Sequence, residues 1–247
     1  MPKKILEIND LEVSYGDIKV LNKLSINLKE NERIGIFGPN GHGKTTLLKA
    51  ISGLIKISNG DILFEGENIT DLDPLQIINK GIVHVPQANN LFPRMSIMDN
   101  LKLGAYSKRA SNEMNILMES VFEIFPWLKE RKKQKCKTLS GGERQMLAIA
   151  VGLMGKPKIL MLYEPTLGLA PKIKYELKEV INDIAETGVP LILVEQDVEF
   201  LMEFANRLYL IEKGRNVLEM DEKNMLDHKE ILDIYFSGKD ISEVISK

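Results

Sequence analysis

An α/β fold with a parallel-sheet core, an antiparallel β lobe and a helical subdomain is what this sequence predicts, on three observations. Apolar residues alternate with polar ones at Leu6, Ile8, Leu11 and Val13, and again at Leu24, Ile26 and Leu28. That is the period-two pattern of half-buried antiparallel strands. Residues 159–162 and 191–194 are short continuous apolar runs, as expected of parallel strands covered on both faces. Between 88 and 157 the pattern turns helical, at residues 98–106, 112–125 and 143–154, with Phe92-Pro93 and Pro126-Trp127 as punctuation.

The remaining elements follow in chain order. Residues 33–37 make a short strand that runs into a glycine-rich segment, after which Leu47, Leu48 and Ile51 share one helical face and Gly53 stops the helix. Residues 61–65 and 82–85 are further strands, and Asp73-Pro74-Leu75-Gln76 starts a helix with proline in its first turn. A helix over 172–186 is closed by Gly188, and residues 208–212 and 216–219 flank Lys213-Gly214 as a hairpin. The expected organisation is one domain over 1–247. Within it, 1–87 and 158–220 supply the β lobe and core, 88–157 the helical subdomain, and 221–247 a short tail of mixed character.

Composition removes several classes of function. A formal charge of -2 in 247 residues, with 28% charged residues of both signs, gives no net pull toward nucleic acid or an anionic membrane. No nucleic-acid partner is expected, and a membrane role is expected to run through protein contacts. The single cysteine, Cys136, excludes an internal disulfide framework. Pro2-Lys3-Lys4 is unlike a signal peptide, and no apolar run approaches the roughly 18 residues of a membrane span. The expected chain neither spans nor enters a membrane, and its expected setting is cytosolic. His42, His84 and His228 are scattered without ligand spacing, so a metal is expected to arrive with a nucleotide.

Gly38-Pro39-Asn40-Gly41-His42-Gly43-Lys44-Thr45 has the G-x-x-x-x-G-K-[ST] spacing, between a strand and a helix. Its glycines let successive backbone N–H groups turn inward around phosphate oxygens at a helix N-terminus. Lys44 is expected to reach the β- and γ-phosphates and the Thr45 hydroxyl to ligate Mg²⁺, while Thr46 caps or contacts the α-phosphate. His42 is read as a solvent-facing position within the loop. A second anion-ready helix start is Leu139-Ser140-Gly141-Gly142-Glu143, where Ser140 and Glu143 make a capping box and the two glycines admit a phosphate closely.

With these motifs in hand, nearly the whole chain resembles the ATP-binding-cassette (ABC) family of P-loop NTPases, whose signature LSGG motif on one subunit covers the phosphates held by the other. The resemblance implies ATP and Mg²⁺ as cofactors, Tyr15 as the adenine-stacking aromatic, and Gln87 as a metal- or water-sensing glutamine coupled to the transporter. It makes Glu164 the general base or water-orienting residue and puts Gln196 at the switch-histidine position. It implies a dimer with a second ATPase subunit, separate transmembrane permease subunits, and a peripheral place on the inner face of the cell membrane. Gly168-Leu169-Ala170-Pro171 with Val194-Glu195-Gln196, and the segment 98–106, resemble the ATPases of branched-chain amino-acid importers. An ATPase of lipid or polysaccharide export and a regulatory nucleotide-binding subunit stay open as alternatives.

One departure bears on activity. The family's second phosphate-site strand ends in an aspartate before the glutamate, whereas this chain reads Ile159-Leu160-Met161-Leu162-Tyr163-Glu164. A neutral phenol brings no carboxylate charge to the Mg²⁺ shell. Slow hydrolysis with retained nucleotide binding is the expectation for the site this chain's own phosphate loop forms.

Overall fold

In the computed structural model, residues 3–87 and 91–221 are described. The elements in chain order are strands β1 (Lys4–Tyr15), β2 (Ile18–Lys29) and β3 (Arg33–Phe37), helix α1 (Lys44–Ile51), strands β4 (Asn59–Phe64) and β5 (Glu67–Asn68), helix α2 (Pro74–Lys80) and strand β6 (Ile82–Val85). Helices α3 (Ile97–Gly104), α4 (Lys108–Ser111), α5 (Met114–Ile124), α6 (Pro126–Glu130) and α7 (Gly141–Leu153) follow. The chain continues with strand β7 (Ile159–Tyr163), helix α8 (Pro171–Glu186), strand β8 (Leu191–Val194), helix α9 (Val198–Phe204) and strands β9 (Arg207–Glu212) and β10 (Arg215–Asp221). Two compact units result, one of Met1–Asp71 with Ile192–Lys247, the other of Leu72–Leu191. The expected helical segment 88–157 falls inside the second. Its first residues, Ala88 and Asn89 among them, and the tail after Asp221 lie outside the described residues.

The first unit contains the β lobe, a sheet of order β2-β1-β4-β5 with antiparallel pairing throughout. The register sets Leu6 opposite Leu28, Ile8 opposite Ile26 and Leu11 opposite Leu24, so the period-two apolar set lands together and is buried. In the same unit strands run in the order β10-β9-β3-β8, with β3 and β9 parallel. The β9–β10 turn places Lys213 at φ 47 and Gly214 at φ 73, the paired positive angles of a tight hairpin turn. Arg207, 4% exposed, pairs with Glu32 and Glu219 at 2.8 Å each and donates to Asn27, tying the end of β2 to β9 and β10. Those partners offset the desolvation of a buried guanidinium.

In the second unit β6 and β7 are parallel, with Ile82 opposite Ile159 and Val85 opposite Leu162. Helix α2 starts as its sequence predicts, with Pro74 at the first position and a capping box between Asp73 and Gln76. Three helices, α4, α6 and α9, were not expected. Pro126 is the first residue of α6 rather than a break, since proline's missing N–H costs nothing in a first turn. Asn112, expected to begin a helix, instead caps the end of α4, so α5 starts later. Among the described residues no helix is long and apolar enough to cross a membrane.

Candidate functional site

The glycine-rich loop is built by the first unit. Ile34, Ile36 and Phe37 of β3 are fully buried, which fixes the point where the chain leaves the sheet. Gly38 leaves it at φ 144, and a Cβ there would lie 2.1 Å from the Ile211 carbonyl oxygen, so no larger residue fits. The Lys44 side chain, 3% exposed, folds back along the loop, its Nζ donating to the carbonyls of Gly38 at 2.6 Å and Pro39 at 3.0 Å. Helix α1 begins behind it without a side-chain cap at Gly43, leaving its first-turn N–H groups and dipole facing the loop. Thr45 is exposed and Thr46 is buried, so the two hydroxyls differ in access. Gly41 and Asn40 at the crown are exposed, and Pro39 is half-buried.

His42 departs from expectation. It is half-buried, its Nδ1 accepts from the Lys213 N–H at 3.3 Å, and its carbonyl accepts from the Gly214 N–H at 3.1 Å. Gly214 O in turn accepts from Asn22 N–H at 2.9 Å. The phosphate loop is thus fastened to the β9–β10 turn and to β2, a tie between residues 171 positions apart that nothing local in the sequence announces. Gly43 packs against Val20 and Leu21 of β2, which brings the β1–β2 hairpin beside the loop. Tyr15 ends β1 on that hairpin and is 48% exposed, an aromatic face open to solvent. Gln196 is exposed just past β8, where buried Glu195 is held by its N–H on the Ile36 carbonyl.

The second unit carries the signature segment, Gln87, Tyr163 and Glu164. Ser140 caps α7 and Glu143 completes the box, its Oε2 accepting from the Ser140 N–H at 2.8 Å. Its Oε1 pairs with Arg131 at 2.6 Å, and Arg131 lies over the Trp127 ring at 5.2 Å. The Ser140 backbone N–H, followed by Arg131, holds the Glu143 carboxylate below its usual range. Arg131 was not singled out from the sequence, where it is one cation in a basic run. Both Glu143 oxygens are therefore engaged in holding the helix start.

The two glycines divide their work. A Cβ at Gly142 would sit 2.4 Å from Cγ2 of Ile173 on α8, whereas one at Gly141 meets nothing within 4 Å. Gly142 is thus required by packing inside the unit, and only Gly141 is left without an internal reason. Gly142→Ala is expected to lower stability by about 1–3 kcal/mol through overpacking. Gly141→Ala should stay within about 0.5 kcal/mol of wild type, as for surface changes, with urea denaturation as the measurement.

Strand β7 is buried to Leu162 and ends at half-buried Tyr163. Glu164, only 6% exposed, takes φ 44, a left-handed angle that non-glycine residues rarely adopt. Glu164 shares a positive φ with Asp10, Lys23, Asn31, Glu65, Lys156 and Lys213, and what sets it apart is a buried carboxylate at the carboxyl end of β7. Gln87 is exposed two residues past β6. Among the described residues no cluster of three His, Cys, Asp or Glu could hold a metal. Thr45 in the first unit and Gln87 in the second are each exposed and each carry a neutral oxygen donor of the kind Mg²⁺ accepts.

Residues 21–167 match the family described as ABC transporter. The chain is 37% identical to the high-affinity branched-chain amino acid transport ATP-binding protein BraG of Pseudomonas aeruginosa, over 95% of this chain and 100% of that one. It is 35% identical to a probable branched-chain amino acid transport ATP-binding protein of Archaeoglobus fulgidus, over 89% and 93% of the two chains. Among solved structures, the ADP conformation of an ATP-binding cassette of an ABC transporter superposes with a TM-score of 0.80 at 25% identity, covering 98% of both chains.

Proposed function

The chain belongs to the ABC transporter family as a transport-coupled ATPase, and on that premise we propose that it powers an importer of branched-chain amino acids, paired with a second ATPase subunit and with separate transmembrane permeases. The observation that carries the ATP-driven part is a pair of anion-ready helix starts in different units: α1 behind Gly38–Thr45 and α7 behind Ser140. The choice of cargo rests on the relatives at 37% and 35% identity.

In this reading the loop from Gly38 to Thr46 holds the triphosphate. Lys44 exchanges its loop carbonyls for phosphate oxygens, at low cost because one set of hydrogen bonds replaces another. Tyr15 stacks on the adenine ring. Ser140 and Gly141 approach the γ-phosphate held by the partner subunit, with Gly142 and Glu143 supporting that helix start from within. Thr45 and Gln87 would hold Mg²⁺, which when bound would neutralise phosphate charge. Glu164 orients and deprotonates water, and Gln196 donates its amide N–H to the γ-phosphate. Tyr163 in place of a carboxylate weakens magnesium binding and slows hydrolysis at the chain's own site. An unlike partner with an intact site keeps the complex working.

A groove of about 240 Å³ in the second unit is lined by Val85, Pro86, Leu91, Leu103, Tyr106 and Val151, adjacent in sequence to Gln87. Tyr106 is 82% exposed on its rim. This groove receives a permease segment, so that nucleotide state at Gln87 is passed to the membrane subunits, and the chain sits peripherally on the membrane's inner face. The test is uptake of radiolabelled leucine, isoleucine and valine by cells lacking this gene. Loss of these three, with glutamine and polyamine uptake intact, is expected; unchanged branched-chain uptake refutes the cargo.

A further inference from the structure

The low net charge of the chain conceals a local concentration of cations. Residues 93–98, which lead into α3, run beside residues 132–137. Four backbone hydrogen bonds join them: Ile97 N–H to Gln134 O, Met98 N–H to Lys132 O, Cys136 N–H to Met95 O and Lys137 N–H to Pro93 O, at 2.9 to 3.1 Å. The pairing in this ribbon is a single antiparallel bridge, Ser96 to Lys135, with a 3-10 turn over Cys136–Thr138 after it; Cys136 is buried there, while Lys133, Lys135 and Lys137 are exposed. Lys132, Arg94 and Lys102 are exposed on the same two segments and the helix that continues them, and Phe92 is an exposed aromatic at the ribbon's end.

These cations form no salt bridge among the described residues; the carboxylate set among them, Asp99, is committed to the Ser96 hydroxyl at 2.6 Å. Lys129 is not counted with them, since it pairs with Glu119 and lies over the Phe122 ring. Its hydrogen bonds with Ser96 chiefly hold the Asp99 carboxylate below the usual range, and Lys135 and Lys102 lie near enough to help. One carboxylate against six exposed cations still leaves a net positive surface that attracts anions. In sequence the patch adjoins the groove assigned above to a permease: Leu91 precedes Arg94 by three positions and Lys102 precedes Leu103.

We propose that this ribbon, with Lys132, Lys133, Lys135, Lys137, Arg94 and Lys102, is a contact surface for anionic lipid headgroups beside the permease. Dispersed cations with an aromatic at the edge suit a planar field of phosphates better than a single phosphate pocket, which needs converging donors. That a membrane lies near rests on the importer reading; the charge pattern does not.

The experiment is co-sedimentation of the purified full chain with permease-free vesicles, either of phosphatidylcholine alone or of equal parts phosphatidylcholine and phosphatidylglycerol, at low and high salt. Binding to the anionic vesicles alone is expected, weakened by salt. The variant Lys132→Gln/Lys133→Gln/Lys135→Gln/Lys137→Gln should bind at least about 100-fold more weakly, each cation counting about fivefold. Nucleotide binding and the urea midpoint report that the variant is folded. Equal binding to both vesicles, no binding to anionic ones, or undiminished binding by the variant overturns the proposal. So does displacement from the vesicles by RNA at equal phosphate concentration, which assigns the ribbon to a nucleic acid. Because no permease is present, a negative result leaves the importer reading standing, and failed uptake leaves the lipid result standing.

Discussion

Tyr163→Asp should raise Mg²⁺-ATP turnover of the purified chain by about 10- to 100-fold, the range by which a missing partner group weakens a metal site. The strand leading to this position is fully formed, since β7 is buried and in parallel register with β6 through Leu162. The position itself, at the strand's carboxyl end, is where open α/β sheets present ligand-binding groups. Aspartate supplies the charge that a phenol lacks at neutral pH and removes bulk from a half-buried site. ATP affinity without Mg²⁺ should hardly change, while the Mg²⁺ concentration for half-maximal turnover should fall. Equal turnover in both proteins shows that position 163 does not limit the reaction. If both bind nucleotide and neither turns it over, a regulatory subunit or a required partner becomes the better account.

Glu164→Gln, made in the Tyr163→Asp background so that the loss is measurable, should lower turnover by about 10²- to 10⁴-fold, the usual contribution of a general base. Glutamine keeps the shape and can accept hydrogen bonds, but it cannot take a proton. Glu164 is almost fully buried, so its side chain has little room to move. The double variant should bind ATP as tightly as its parent. A turnover within threefold of the parent, about 0.65 kcal/mol of barrier, would falsify the assignment of Glu164 as base.

Much of the fold was legible because its signals are short-range. The alternation from Leu6 to Val13 and from Leu24 to Leu28 matches β1 and β2, and the apolar runs at 159–162 and 191–194 match β7 and β8. Asp73-Pro74 and Ser140 with Glu143 announce helix starts through bonds made within four residues. The helices that were missed are short or lack a period of their own. In α6 the same proline that signals a break also fits a first turn, and only packing decides which.

By itself, the sequence determined the motifs whose chemistry lies in consecutive residues: the loop Gly38–Thr45, the capped start at Ser140, the apolar strand before Glu164, and the missing aspartate at 163. Only the tertiary structure decided what distant residues do to them. It bound His42 to the Lys213-Gly214 turn, gave Gly142 to Ile173 and left Gly141 open, occupied Glu143 with Arg131, and set the basic run 132–137 beside residues 93–98. The physical reason is reach. Hydrogen bonds within a turn or cap are fixed by local dihedrals and show as patterns, whereas excluded volume and charge neighbourhood depend on which segments the core brings together.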